Sequence, residues 1–354
     1  MTNKQYPGGA SVARLDDERK GPVRLRSPIV PASIPGPVAR DSAVVAAPDG
    51  QPHVRDELHA GLTAHATVIS SKYFYDPLGS RLFDAITRLP EYYLTRTEAG
   101  VFSRYIHEIG RIAGRGGTLV DLGAGNCEKA KRLFGVLQPV QYVAVDISAE
   151  YLRDALSSLQ RLYPGMDMLA LGQDLAEPFS LPQTVRPERR LFFYPGSSIG
   201  NFTPEQVETF LRGLRAQCGH DGGLLIGVDL VKDKSILDAA YDDALGVTAA
   251  FNLNLLNHVN VLLGSDFELR DWRHRAFFNA EMSRVEMHLE ARRPMTVTWP
   301  GGARTFNEGE RIHTENSYKY RLADFEAILL AAGFRHVTAW TDDRQWYAVC
   351  HARA

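Results

Sequence analysis

The run Thr118-Leu119-Val120-Asp121-Leu122, followed at once by Gly123-Ala124-Gly125, constrains this chain more than any other stretch. It reads as a buried strand feeding a tight turn into a helix, the opening of a wound α/β domain. Strand and helix signals alternate after it, with strands expected at 142–147, 168–172, 190–194 and 223–230 and helices at 150–162 and 204–217. Five parallel strands account for that order.

Beyond Val231 the alternation stops, and about 90 residues intervene before a helix expected at 323–332. This insertion opens with a helical stretch over 235–263. It continues as strands of alternating polarity such as 285–289 and 295–299, the latter entering a hairpin turn at Pro300-Gly301-Gly302. Two last strands, 334–340 and 346–351, are joined by a short Asp-rich loop and suit an antiparallel pair at the sheet edge. A doubly wound sheet closed in this way is similar to the class I methyltransferase fold, a Rossmann-like α/β architecture, more than to a nicotinamide-binding domain.

The first 55 residues hold eight of the 19 prolines and only short apolar clusters, which predicts an extended or disordered tail. Helical periodicity begins at Asp56 and runs through Leu58, Leu82, Phe83, Ile86 and Leu89. The expected organisation is therefore a Pro-rich tail over 1–55, an N-terminal helical segment over 56–100 that contributes to the substrate site, a sheet domain over 101–231 and 321–354, and an inserted α+β substrate-binding domain over 232–320. No internal repeat is visible.

An apolar content of 44% in 354 residues is ample for a packed core. The formal charge of -2 offers no field to attract nucleic acid. Cys127, Cys218 and Cys350 are too few and too scattered for a disulfide framework or a zinc cage, and fit a reducing cytoplasm. No apolar run approaches the roughly 20 residues that cross a bilayer, and no secretory signal is seen. A cytoplasmic protein without membrane or nucleic-acid partners, and a monomer, is the expectation.

In Asp121-Leu122-Gly123-Ala124-Gly125-Asn126 the glycines let backbone approach a ligand at the crevice above the strand ends. A dinucleotide fingerprint requires a further glycine three residues after Gly125, so that a helix N-terminus can hold pyrophosphate. Here that position is Glu128, a carboxylate that would face two phosphates. S-adenosylmethionine has no phosphate and carries a sulfonium cation, so the departure favours the methyl donor. Asp146 closes the second strand 23 residues after Gly123, where an acid receives ribose hydroxyls. Asp174 closes the third, where a carboxylate can accept the adenine amine. Either acid alone is as readily a helix cap; their order on successive strands favours the cofactor. Lys129 reads either as a solvated lysine on the first helical turn or as a contact to the donor's methionine carboxylate.

Polar and aromatic strings fall where loops should crown the sheet. They are Lys72-Tyr73-Phe74-Tyr75-Asp76, Leu89-Pro90-Glu91-Tyr92-Tyr93, Gly196-Ser197-Ser198-Ile199-Gly200-Asn201-Phe202, Tyr241-Asp242-Asp243 and the run from Ile312-His313-Thr314-Glu315-Asn316-Ser317 to Tyr318-Lys319-Tyr320. With the glycine turn, they resemble the L-histidine Nα-methyltransferases of ergothioneine biosynthesis over about residues 57–351. The resemblance implies that Tyr92, Asn201 and Tyr241 hold the amino acid's carboxylate and amino end, with Gly196 giving close backbone approach. It implies that Glu315 and Ser317 hydrogen-bond the imidazole, and that Gly123, Lys129, Asp146, Asp174 and Leu175 contact the cofactor. It also implies repeated transfer, yielding the trimethylated betaine of histidine.

The residues agree with the side-chain pocket. Two apart on a strand, Glu315 and Ser317 share a face and can grip two separated ring nitrogens. A ring N–H donates to Glu315, while Ser317 donates or accepts according to tautomer. Phenylalanine or leucine would leave the acid unpaired, at roughly 1 to 3 kcal/mol or more. Met287 on a neighbouring strand reads either as an apolar pocket wall or as core packing. Tyr73, Phe74 and Tyr93 read as packing, and Tyr75 as a phenol that orients the reacting amine.

Methyl transfer from sulfonium to amine is an in-line displacement that relies on positioning and requires no metal. No residue is identifiable as the proton acceptor. Three other readings exist. Another aromatic amino acid, such as a tryptophan derivative, offers only one indole N–H to Glu315. A nicotinamide-dependent oxidoreductase is disfavoured by Glu128. A catalytically silent methyltransferase-like interaction module, recruiting partners through the tail, is disfavoured by the intact donor and substrate motifs.

Overall fold

The computed structural model describes residues 43–45, 51–147 and 149–354; the expected tail therefore lies outside the described residues over 1–42 and 46–50. Ala43–Val45 (β1), Gln51–Thr63 (α1), Pro77–Ile86 (α2) and Tyr93–Ala113 (α3) precede Thr118–Leu122 (β2). The wound part follows as Glu128–Lys131 (α4), Phe134–Leu137 (α5), Gln141–Asp146 (β3), Ala149–Leu162 (α6), Asp167–Gly172 (β4), Arg190–Tyr194 (β5), Pro204–Gln217 (α7) and Gly223–Asp229 (β6). The insertion supplies Lys234–Tyr241 (α8), Val247–Leu263 (α9), Trp272–Asn279 (β7), Arg284–Ala291 (β8), Met295–Trp299 (β9), Gly302–Phe306 (β10) and Arg311–Tyr318 (β11). Leu322–Ala331 (α10), Arg335–Thr341 (β12) and Tyr347–Arg353 (β13) end the chain.

Strands β2 and β6 are buried along their whole length, as central strands covered on both faces must be. The main sheet runs β1-β4-β3-β2-β5-β6-β13-β12, parallel as far as β6 and closed by β13 antiparallel to both β6 and β12. This is the class I methyltransferase fold. From β2 the chain steps outward through β3 to β4, then returns to β5 on the other side of β2. The loops after β2 and β5 therefore part at one crevice, the place where open α/β sheets bind ligands.

Three expectations about the N-terminal region differ from what the described residues show. Among the described residues the parallel strands number six rather than five, because β1 pairs with β4 from Ala43↔Leu169 to Val45↔Leu171. Helix α1 also begins at Gln51, inside the stretch assigned to the tail. The boundary placed after residue 100 falls within α3, whose Leu94 packs with the insertion while Val101, Phe102 and Ile109 pack on the sheet.

The helical stretch over 235–263 is two helices. Gly246 takes a positive φ of 74°, and Asp243 caps the second helix by accepting the Val247 and Thr248 N–H groups at 3.0 and 2.7 Å. Strands β7, β8 and β11 form an antiparallel sheet, and β9 and β10 form the expected hairpin. Fully buried Asn252 knits α9 to that sheet, donating to His288 O at 3.0 Å and accepting from Thr314 Oγ1 at 2.8 Å. Leu58, Leu62, Phe74 and Ile86 share one apolar core with Leu237, Phe251, Leu289 and Ile312. The N-terminal segment and the insertion thus bury each other's apolar faces.

Candidate active site

A cavity of about 1310 Å³ opens over the crevice between the β2 and β5 loops. A single small-molecule pocket rarely exceeds about 1,000 Å³, so this volume admits a donor and an acceptor together. Ten of the expected site residues line it: Gly123, Lys129, Asp146, Asp174 and Leu175 from the sheet, with Tyr75, Tyr92, Gly196, Asn201 and Glu315 around them.

On the donor side Gly123 and Gly125 have φ of 68° and 52°, and a Cβ on either would meet nothing within 4 Å. The turn is tied down by Gly123 and Ala124 N–H donating to Val145 O at 2.8 and 3.0 Å, and by Gly125 N–H donating to Asp146 Oδ2 at 3.0 Å. Asp174 serves two purposes. Its Oδ1 accepts the Ala176 N–H at 2.9 Å, and its Oδ2 pairs with Lys72 Nζ at 2.9 Å, an ammonium that also meets Glu57 at 2.7 Å. Glu128 lies on the cavity wall, paired with Lys131 at 3.0 Å. These groups fit a nucleoside without phosphates: an open glycine turn, two carboxylates at successive strand ends, and an acid where pyrophosphate would sit.

Lys129 is exposed but not free, since it is paired across the cavity wall. Its Nζ pairs with Glu98 Oε2 at 2.7 Å, and the other Glu98 oxygen accepts Gly196 N–H and Tyr347 O–H, both at 2.6 Å. The Glu98 side chain is 3% exposed, so Lys129 compensates a buried charge while its own stem stays at the cavity. Gly196, with φ 81°, is confined by the same cluster: a Cβ there would stand 3.0 Å from Lys129 Nζ.

On the acceptor side the Tyr75 and Tyr92 hydroxyls, the Asn201 amide and the Glu315 carboxylate have no hydrogen-bond partner among the described residues. Burial pushes the Glu315 carboxyl up to about 7, with Lys319 opposing the shift. Loss of hydration raises both phenols above their usual range, with Glu315 contributing to each, so they remain protonated donors. Tyr75 is nonetheless 41% exposed, its ring at the open side of the cavity.

Tyr241, Ser317 and Met287 stand behind this wall rather than on it. Tyr241 Oη and Ser317 Oγ are 2.7 Å apart, and Lys319 Nζ donates to both, at 2.9 and 2.8 Å. Lys319 also pairs with Asp229 at 2.8 Å, and Asp229 in turn holds Lys232 at 2.6 Å and Tyr93 Oη at 2.7 Å. Met287 lies opposite Glu315 in the strand register and is 2% exposed in the shared core, which realises the packing alternative.

Sequence reasoning missed Glu98, Asp229 and Lys319. Glu98 sits among Leu94, Val101 and Phe102 at helical spacing, an acid on an apolar face, and that was a readable signal. Lys319 continues the Glu315, Ser317 alternation by two more residues. A separate cluster, Glu286, His288 and His313, brings one ligand-type atom of each within 4.8 Å on the opposite face of the inserted sheet. Its carboxylate is already engaged by Arg284 at 2.8 Å, Asn279 at 3.1 Å and His288 at 3.0 Å.

A family model for S-adenosylmethionine-dependent, histidine-specific methyltransferases matches residues 54–354. The chain belongs to this family. Its methyl donor is S-adenosylmethionine, and its substrate is an amino acid, a small molecule rather than a protein. The chain is 40% identical over 311 residues to the histidine N-alpha-methyltransferase of Mycolicibacterium smegmatis, covering 86% of this chain and 94% of that protein. It is 39% identical over 296 residues to the enzyme of that name from Mycobacterium tuberculosis, covering 82% and 91%. The ergothioneine biosynthesis protein 1 of Neurospora crassa is 29% identical over 276 residues, which span 75% of this chain and 31% of that longer protein.

Proposed function

We propose that this chain transfers methyl groups to the α-amino nitrogen of L-histidine, three in succession, to give the trimethyl betaine hercynine in ergothioneine biosynthesis. The observation that carries the reading is Glu315, a desolvated carboxylate with no hydrogen-bond partner among the described residues, on the wall of a cavity that also carries the glycine turn. An imidazole N–H is the kind of donor that satisfies such a group. The names of the mycobacterial and fungal relatives support the same substrate and pathway.

S-adenosylmethionine supplies the electrophilic methyl group on its sulfonium. The residues of the chain hold and aim. Gly123, Asp146, Asp174 and Leu175 hold the nucleoside, and the Lys129 ammonium faces the donor's carboxylate. Tyr92 and Asn201 offer an O–H and an N–H to the carboxylate of the amino acid, with the Gly196 backbone close beside Lys129. The Tyr75 phenol orients the amine, and its partial exposure gives the departing proton a route to water. Displacement needs no metal ion. The reading includes a monomer in the cytoplasm; no helix among the described residues is long and apolar enough to cross a membrane.

The test is stoichiometry with the purified chain. L-histidine should release three equivalents of S-adenosylhomocysteine and accumulate the betaine. Inactivity on histidine with robust turnover of a tryptophan derivative, another amino acid or a protein would overturn the assignment.

A further inference from the structure

The string Lys72-Tyr73-Phe74-Tyr75-Asp76 is pinned at its two ends to different parts of the fold. Ser71–Phe74 forms a 3-10 turn that ends at Tyr75. Beyond it Asp76 accepts the Gly79 N–H at 2.7 Å and the Asn254 amide of α9 at 2.8 Å, and Phe74 stacks on Phe251 of α9 with ring centroids 4.5 Å apart. At the other end Lys72 Nζ pairs with Asp174, just past β4, at 2.9 Å and with Glu57 of α1 at 2.7 Å. Among the described residues, the other long-range hydrogen bonds of residues 51–88 reach the insertion, such as those of Arg55 to Leu262 O, of His258 to Tyr73 O and of Arg304 to Leu62 O. The segment that carries Tyr75 is thus hydrogen-bonded to the sheet through Lys72.

That tie matters because the reaction joins two sides of the cavity. The glycine turn, Asp146 and Asp174 belong to the sheet, whereas Tyr75 and Glu315 stand on the N-terminal segment and the insertion, which share one core. In-line transfer needs the amine aimed at the methyl carbon, and a small misplacement costs rate. Asp174 can serve two partners at once. Its Oδ1 accepts the Ala176 N–H and its Oδ2 accepts Lys72. A carboxylate has about four acceptor positions, so room remains for an exocyclic amine. Burial opposes the Lys72 charge, but the bonds to Glu57 and Asp174 prevail and raise its pKa, so the ammonium persists.

We propose that Lys72 is a positioning residue: bonded to the acid that takes the adenine amine, it fixes the string that carries Tyr75 and so sets the phenol against the methyl group of the seated donor. The inference rests on the roles proposed above for Asp174 and Tyr75. It accounts for a second ammonium on the wall of a site for a cationic donor: two carboxylates neutralise Lys72, and its work is to hold the two sides of the cavity in register.

The experiment is single-turnover transfer from saturating S-adenosylmethionine to saturating L-histidine by the full chain, with S-adenosylhomocysteine affinity measured alongside by calorimetry. Lys72→Met should slow the first transfer about tenfold and leave S-adenosylhomocysteine affinity within about threefold of the wild type. In a Tyr75→Phe background the same substitution should slow transfer by less than about twofold, because the hydroxyl it positions is already gone. Lys72→Gln, uncharged and too short to bridge both carboxylates, serves if Lys72→Met does not fold. Three results overturn the inference: a wild-type rate in Lys72→Met, a loss of about tenfold repeated in the Tyr75→Phe background, or a loss of rate matched by an equal loss of S-adenosylhomocysteine affinity. The readings beneath it fail separately. Unchanged S-adenosylhomocysteine affinity in Asp174→Ala defeats the adenine role of Asp174, and a wild-type rate in Tyr75→Phe alone defeats the role of the phenol.

Discussion

The carboxylate of Glu98 accepts the backbone N–H of Gly196 at 2.6 Å. Its second oxygen holds Lys129 at 2.7 Å, so one buried acid on α3 sets both the lysine that follows the glycine turn and the Gly196 backbone across the cavity. Under the proposed function, donor and acceptor subsites are braced from a single point.

Glu98→Gln keeps an acceptor for Gly196 and Tyr347 but removes the charge that faces Lys129. Calorimetry should show S-adenosylhomocysteine and histidine affinities falling together, each by about tenfold. Glu98→Ala should in addition lower the unfolding free energy by about 3 kcal/mol in denaturant titration, since two buried donors lose their partner. A loss confined to one ligand in Glu98→Gln would refute the shared brace.

Gly196→Ala tests the crowding directly. The backbone there is left-handed, and the added methyl would press on Lys129 Nζ at 3.0 Å. The variant should stay folded and lose at least about tenfold in kcat/KM. Wild-type kinetics would show that Lys129 moves aside at no cost.

Glu315 links recognition to stability. Its folded pKa of about 7 lies above the ordinary carboxyl value of 4.5. Between those values the native state binds more protons than the unfolded state, so this group's contribution to stability falls as pH rises. Glu315→Gln should therefore be more stable than the wild type at pH 8, by up to about 3 kcal/mol, and the gap should close toward pH 4.5. Histidine affinity should fall in the same variant. Denaturant melts across that pH range check the sign; a gap that widens toward acid contradicts it.

Asp146 accepts the Gly125 N–H, so it shapes the turn. Asp146→Asn retains an acceptor for that N–H and should cost about tenfold in S-adenosylhomocysteine affinity, with Asp146→Ala costing more. Equal losses in the two variants would mean that the turn contact contributes nothing.

Much of the sheet was readable from the chain. The bounds expected for β2, β5, α7 and β9 match those observed, because each is an apolar or periodic run closed by glycine, proline or a cap. Strand β1 escaped notice as three residues in a proline-rich context. The break between α8 and α9 escaped because apolar residues continue across it, and only Gly246 and the Asp243 cap reveal the turn. Ten of the residues singled out line the cavity, Gly123, Asp146 and Asp174 from motif order, Tyr75 from its aromatic string and the others from the family resemblance. The charges behind the wall were not readable, since pairing between Glu98 and Lys129, or between Asp229 and Lys319, joins positions far apart in sequence.

The core shared by the N-terminal segment and the insertion has a consequence for biosynthesis. Leu58, Leu62 and Phe74 leave the ribosome early, yet the surface that covers them is complete only once Ile312 has been made. The donor-binding strands β2 to β6 are synthesised in between and can assemble first. The helices made earliest are therefore completed last, and a nascent chain stalled after β6 would carry an uncovered apolar face that invites aggregation.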